Sequence, residues 1–224
     1  MSSFVAFDSG YRGGIKVTAG DVDGDNEVEI IVTPESGYKP IVKIYNQKGQ
    51  LEKEFLAFNA EFKGGINVVA GDVDGDGKVE IVTAPRAGTM PKIKIFSGSG
   101  VLKKDFIAYS PQFMGGVNIG LGDISGDNIL DIITGAGPGG GPHVQVFKYN
   151  ETKVASFMAY NNSFRGGVDV SAVDINKDGQ VDIITGAGPS GAPHVRIFDK
   201  NGLLLAEKFV FEADYVDGVI IGGR

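Results

Sequence analysis

The chain of 224 residues contains no cysteine, no tryptophan and only two histidines. Without cysteine there is no disulfide framework and no thiolate-held metal, and the compartment stays open. No apolar run reaches the ~18 residues that a membrane-spanning helix needs, so membrane insertion is not expected. The start MSSFVAFDSG has no basic beginning and no long apolar core, so no signal peptide is visible. Basic residues are outnumbered: 21 Lys and Arg face 28 Asp and Glu, for a formal charge of −7. That balance argues against nucleic acid, because phosphate binding needs a basic surface. A bound cation or a basic partner suits it better. Helical spacing is missing too: no stretch keeps it long enough to make a convincing helix.

Hydrophobic residues at 42% and charged residues at 22% give a globular composition, and 35 glycines point to many tight turns. Above all, the chain repeats itself. RGGIKVTAGDVDGD (12–25) recurs as KGGINVVAGDVDGD (63–76), MGGVNIGLGDISGD (114–127) and RGGVDVSAVDINKD (165–178). Gly14, Gly65, Gly116, Gly167 and Gly218 step by 51 residues. Tyr11, Phe62, Phe113, Phe164 and Tyr215 keep the same step, as do Phe4, Phe55, Phe106 and Phe157. Near the end LLLAEKF (203–209) reads as carrying one extra residue, which the next segment then loses. Each repeat holds four short Val-, Ile- and Phe-rich runs separated by Gly, Pro, Asp and Asn. In the third repeat they fall at 116–122, 130–136, 143–147 and 154–160. Four strands in about 50 residues is the arithmetic of a propeller blade. The expected fold is therefore all-β: one β-propeller domain over 1–224 built from four-stranded antiparallel blades. Its repeats run at 14–64, 65–115, 116–166 and 167–217, with partial strands at 4–8 and 218–223.

An acidic nine-residue window opens every repeat: DVDGDNEVE (21–29), DVDGDGKVE (72–80), DISGDNILD (123–131) and DINKDGQVD (174–182). Oxygen-bearing side chains stand at places 1, 3, 5 and 9. These are Asp21, Asp23, Asp25 and Glu29; Asp72, Asp74, Asp76 and Glu80; Asp123, Ser125, Asp127 and Asp131; and Asp174, Asn176, Asp178 and Asp182. Place 6 is Asn or Gly, the types that best tolerate a left-handed backbone. Place 7, at Glu27, Lys78, Ile129 and Gln180, offers a backbone carbonyl. Hard oxygen donors without His or Cys suit Ca²⁺, at about four sites, one per repeat. At places 1, 3, 5 and 9 the first two windows hold four carboxylates each and should bind more tightly than the last two, which hold three. The plain alternative is an Asp-, Asn- and Gly-rich hairpin turn that binds nothing.

The assembled unit is an aromatic residue, two residues, Gly, a strand, GDVDGDG, a strand ending in TGAG, a Pro/Gly loop, and HVQVF. It resembles the FG-GAP (VCBS-type) repeats of bacterial surface proteins and of the integrin α-subunit propeller. The resemblance implies a Ca²⁺-binding loop between the first and second strands of each blade, with its ligands at places 1, 3, 5 and 9. It also implies an extracellular or cell-surface setting and a role in binding proteins or glycans, or as a rigid module. TPE (33–35) and APR (84–86) depart from the family's GAG. With no signal peptide and a start in mid-pattern, the chain reads as an excerpt or an engineered sequence. The spare strands at its ends are expected either to be displaced from a four-bladed ring or to pair with another copy.

Other motifs carry less. GAGPGG (135–140) and GAGPSG (186–191) look loosely like dinucleotide motifs, but each leads into a strand rather than a helix, so a tight strand crossing is the better account. His143 and His194 open equivalent strands and read as structural. The aromatic ladders read as core between blades. The loops at 34–40, 85–91, 138–142 and 189–193 vary most, which makes Tyr38, Lys39, Arg86 and Met90 contact candidates. The leading expectation is a non-enzymatic, calcium-binding propeller that serves as a binding or assembly module. A lectin-like propeller and, further off, a Ca²⁺-dependent hydrolase or lyase are the alternatives.

Overall fold

The computed structural model describes residues 3–212 and 214–222. Sixteen strands and no helix occur among them, so no helix is long and apolar enough to cross a membrane. The first sheet holds β1 (Ile15–Gly20), β2 (Glu29–Pro34), β3 (Ile41–Tyr45) and β4 (Leu51–Leu56). The second holds β5 (Ile66–Gly71), β6 (Glu80–Pro85), β7 (Lys92–Ser97) and β8 (Leu102–Ile107). In the third are β9 (Val117–Gly122), β10 (Asp131–Ala136), β11 (His143–Phe147) and β12 (Lys153–Met158). The fourth has β13 (Val168–Val173), β14 (Asp182–Ala187), β15 (His194–Phe198) and β16 (Leu204–Phe209). Strands pair in chain order, all antiparallel. These are the expected four-stranded blades.

The second strand of a blade is the most deeply placed. β6, β10 and β14 are buried at every residue, which is why EIVTAP and DIITGA read as nearly unbroken runs rather than as alternating ones. The fourth strand lies at the outer edge, and β16 is exposed throughout. Each third strand carries a bulge against the fourth at the same repeat position, at Ile44/Tyr45, Ile95/Phe96, Val146/Phe147 and Ile197/Phe198.

The chain forms two compact units, Met1–Met114 and Gly115–Arg224. In the first unit, Ile31, Val42 and Ile44 of one sheet pack with Ile66, Val68 and Ile81 of the next. In the second unit, Ile133, Val144 and Val146 pack with Val168, Val170 and Ile183. Burying each such side chain contributes about 1.5–3 kcal/mol, and this burial between sheets is what a lone blade lacks.

The glycine ladder marks where neighbouring sheets approach closest. Gly65 has φ +84°, and a Cβ there would lie 1.7 Å from the Glu35 carbonyl oxygen of the adjacent sheet. Gly13, Gly64 and Gly166 leave room for the rings of Tyr11, Phe62 and Phe164, which fold back over the backbone. GAGPGG is a tight crossing as expected: a Cβ on Gly135 would sit 2.3 Å from the Val168 carbonyl oxygen.

Three sequence expectations need correction. The aromatic ladders fill the core only in part: Phe106 is buried, at 6% exposure, whereas Phe4 is exposed. Tyr11, Phe62, Phe113 and Phe164 are half-buried and lie in ring pairs with Phe7, Phe58, Tyr109 and Tyr160. Phe55 and Phe157 cap the core edge against Phe96 and Phe198. The one-residue slip at 203–209 is absent. β16 keeps the step of β12, with Lys208 opposite Val195 as Phe157 is opposite Val144, so Phe209 takes the place of Met158.

Nor are residues 4–8 and 218–222 strands, and position 223 lies outside the described residues. Each terminal segment mimics one part of a blade without strand partners on both sides. Lys43 and Tyr45 donate to the Ala6 carbonyl, much as Lys94 donates to Ala57 and Arg196 to Ala159. At the other end, the Val219 N–H donates to the Ala187 carbonyl and the Ile221 N–H to the Asp169 carboxylate.

Candidate metal centre

The four acidic windows are the hairpin loops from β1 to β2, β5 to β6, β9 to β10 and β13 to β14. Their own side chains fold them. In the first, Asp21 accepts the N–H groups of Gly24 and Asn26 at 2.7 and 3.0 Å, while Asp23 and Asp25 each accept the N–H two residues on. The second repeats this with Asp72, Asp74 and Asp76. Such successive Asx turns wind the backbone around the carboxylates. Place 6 is left-handed in all four loops: Asn26 at φ 69°, Gly77 at 83°, Asn128 at 66° and Gly179 at 86°. Place 4 is left-handed as well, which sequence reasoning missed. It is glycine in three loops but Lys177, at φ 60°, in the fourth.

Place 9 is the anchor. Glu29, Glu80, Asp131 and Asp182 are only 1–3% exposed. Each accepts a backbone N–H from its own loop: Val22 at 2.9 Å, Val73 at 3.2 Å, Ser125 at 2.7 Å and Ile175 at 3.3 Å. Burial pushes all four carboxyls above their ordinary range, and these N–H donors offset only part of the shift. Around Glu29 the charges of Asp23, Asp25 and Asp21 push the same way. A buried carboxylate among other carboxylates is a seat for positive charge.

The loops differ in what they gather. One carboxylate oxygen from each of Asp21, Asp23 and Glu29 lies within 4.8 Å of the others, and Asp72, Asp74 and Glu80 make the same triplet. Asp25 and Asp76 stand outside these triplets. Among the described residues the third and fourth loops form no such triplet, having Ser125 and Asn176 at place 3. The Asn176 amide donates instead to Asp178 at 3.0 Å. A cleft of about 340 Å³ opens beside the second loop, lined by Asp23, Asp76, Glu80 and Lys103, and one of about 500 Å³ lies between the third and fourth.

Two lysines that the sequence reading did not single out reach these loops. Lys103 pairs with Asp74, with Glu80 at 2.9 Å and with Asp76 at 3.3 Å. Burial lowers its pKa, but the bonds to Asp74, Glu80 and Asp76 outweigh that and hold it above the usual lysine range. Lys148 bonds Asp127 at 2.6 Å and draws that carboxyl below its usual range. Lys103 lies on β8, 27 residues from Asp76, and Lys148 just after β11, 21 residues from Asp127, with no local motif to announce either. The all-oxygen triplets make the first two loops a fit for a hard divalent ion, and in the second the Lys103 ammonium is a stand-in cation.

The remaining candidates sit elsewhere. His143 Nε2 lies 2.9 Å from Ser156 Oγ, and His194 stacks on Phe209 and pairs with Glu207. Arg86 is committed to Glu35 of the neighbouring sheet at 2.8 Å, and the Tyr38 hydroxyl donates to Asp8. Lys39 and Met90 are exposed.

Four-stranded antiparallel sheets, each with an acidic loop joining its first two strands, define a propeller of repeated blades. Residues 21–83, from the first acidic loop into β6, match the family model described as an FG-GAP-like repeat. Among solved structures, the exotype rhamnogalacturonan lyase YesX is similar at TM-score 0.61 and 18% identity, over 84% of this chain and 40% of its own. The Bacillus licheniformis rhamnogalacturonan lyase PL11 is similar at TM-score 0.60 and 18% identity, over 84% and 41%. A protein of unknown function from Bacteroides caccae follows at 0.53 and 10%, over 92% and 65%. The chain thus spans about two fifths of the length of the two lyases, and at these identities the likeness is one of fold. No curated protein sequence matches the chain.

Proposed function

We propose that the chain is a non-enzymatic, calcium-clamped propeller module that serves as a rigid scaffold for binding or assembly in an extracellular or cell-surface setting. The observation that carries this reading is the buried place-9 carboxylate in all four loops, joined in the first two by the carboxylates of places 1 and 3. Calcium bound there neutralises the acidic crowd and ties the first strand of a blade to the second. Places 1, 3, 5 and 9 supply side-chain oxygens, and place 7 adds a carbonyl.

Assembly is supported by exposed apolar surface. Ile15 and Val17 on β1 are 47% and 55% exposed, whereas Ile66 and Val68, one repeat on, are 0% and 6%. A further blade or a second copy would cover the first pair as the first sheet covers the second.

Native mass spectrometry with and without calcium, paired with melting curves in calcium and in EDTA, tests the proposal. At a hundredfold excess over Kd each occupied site adds about 2.7 kcal/mol. Two sites then raise Tm by roughly 10–20 °C for a chain of this size. A melt that EDTA leaves unchanged refutes the clamp. A second reading, a carbohydrate-binding propeller, is favoured by an open pocket of about 230 Å³ lined by Tyr160, Phe164, His194 and Arg196. It sets aromatic rings beside hydrogen-bonding groups, and a glycan array without hits removes it.

A further inference from the structure

The first two acidic loops carry the same four side-chain ligand positions, yet they meet different surroundings. Lys103, on β8, points into the second loop and grips Asp74, Asp76 and Glu80 together. In the other three repeats the equivalent residues are Glu52, Val154 and Leu205. Strand pairing fixes this equivalence: Leu51, Leu102, Lys153 and Leu204 all stand opposite the residue after the bulge. Lys148 is no counterpart, because it follows β11 and bonds Asp127 alone. Among the described residues no lysine or arginine pairs with Asp21, Asp23 or Glu29. The second loop is therefore the one of the four in which an ammonium bridges three carboxylates, one of them, Glu80, only 1% exposed.

That ammonium holds the oxygens a divalent ion would use. Calcium needs six to eight oxygens at 2.3–2.6 Å. It cannot share Asp74 and Glu80 with an ammonium at hydrogen-bond distance, and the two positive charges repel. We infer that Lys103 is a tethered competitor for calcium: it neutralises the second loop when calcium is absent and must swing out when calcium enters. This rests on the calcium reading above and refines it. Equal carboxylate counts would make the first two loops equally tight, whereas Lys103 makes the second loop the weaker. The second hairpin then keeps its shape without metal, while the first depends on it.

Calcium titration calorimetry on the full chain tests this, with Asp23→Asn and Asp74→Asn assigning the two constants. In the parent chain the second loop binds more weakly than the first. Lys103→Met tightens the second loop about tenfold or more, leaves the first unchanged, and lowers Tm in EDTA. The converse variant, Glu52→Lys, places the ammonium beside the first loop and weakens it. This second arm keeps the test decisive if Lys103→Met folds poorly. Calcium bound by the first loop, with the second loop's constant unmoved by Lys103→Met, overturns the role of Lys103 alone. No calcium heat in the parent or in any variant overturns the calcium reading itself.

Discussion

Two glycines in the first unit separate the cost of backbone conformation from the cost of packing between blades. Gly65 and Gly77 have nearly the same left-handed φ, +84° and +83°. A Cβ on Gly77 meets nothing within 4 Å, whereas one on Gly65 comes 1.7 Å from the Glu35 oxygen and 2.3 Å from its carbon. Gly77→Ala therefore costs only the left-handed penalty, about 1–2 kcal/mol. Gly65→Ala carries the same penalty and must also move a backbone carbonyl from 1.7 Å to roughly 3.3 Å. No side chain can rotate away to relieve this, so the two sheets must part and loosen the packing of Ile31, Val42 and Ile66. Overpacking of this kind adds about 1–3 kcal/mol. The total is about 2–5 kcal/mol, or a Tm lower by roughly 5–15 °C for a chain of this length. Urea unfolding in EDTA, at matched protein concentration, reads both variants free of metal. If Gly65→Ala costs no more than Gly77→Ala, the sheets do not meet where the glycine ladder places them.

Three further outcomes are expected. Burial lowers the pKa of His143, and burial followed by the Arg196 charge lowers that of His194. The unfolded chain then binds protons first, so stability falls as pH drops below about 6.5 toward the folded-state values. Replacing both histidines with Gln should flatten that part of the denaturation profile, and an unchanged slope contradicts the burial. Lys177→Gly relieves a left-handed lysine at the place where the other loops have glycine, and should gain about 0.5–1 kcal/mol in chemical denaturation; a loss refutes the strain. Ile66→Ala should cost about 2–5 kcal/mol, while Ile15→Ala, one repeat earlier on an exposed face, should cost within ~0.5 kcal/mol. Equal costs by calorimetric melting would mean that a partner covers Ile15 in solution.

The sequence by itself determined the period, the four strands of each blade and the acidic hairpins. These rest on local signals. Val- and Ile-rich runs extend, Asp side chains wind their own backbone, and Asn26, Gly77, Asn128 and Gly179 take up left-handed turns wherever they stand. Repetition then turned four weak signals into one strong one. The tertiary structure decided what depends on distant neighbours. Place 9 is buried because β2, β6, β10 and β14 begin there, inside their sheets. Tyr11, Phe62 and Phe164 lie half-buried in ring pairs because the glycines beside them let the rings fold back over the chain. The ends are not strands because a strand needs hydrogen-bonding neighbours, which composition alone does not provide. Lys103 reaches Asp76 across 27 residues, and only the pairing of β7 with β8 brings it there. Periodicity shows where carboxylates gather, but which cation they meet is set by the fold, because charge acts through space rather than along the chain.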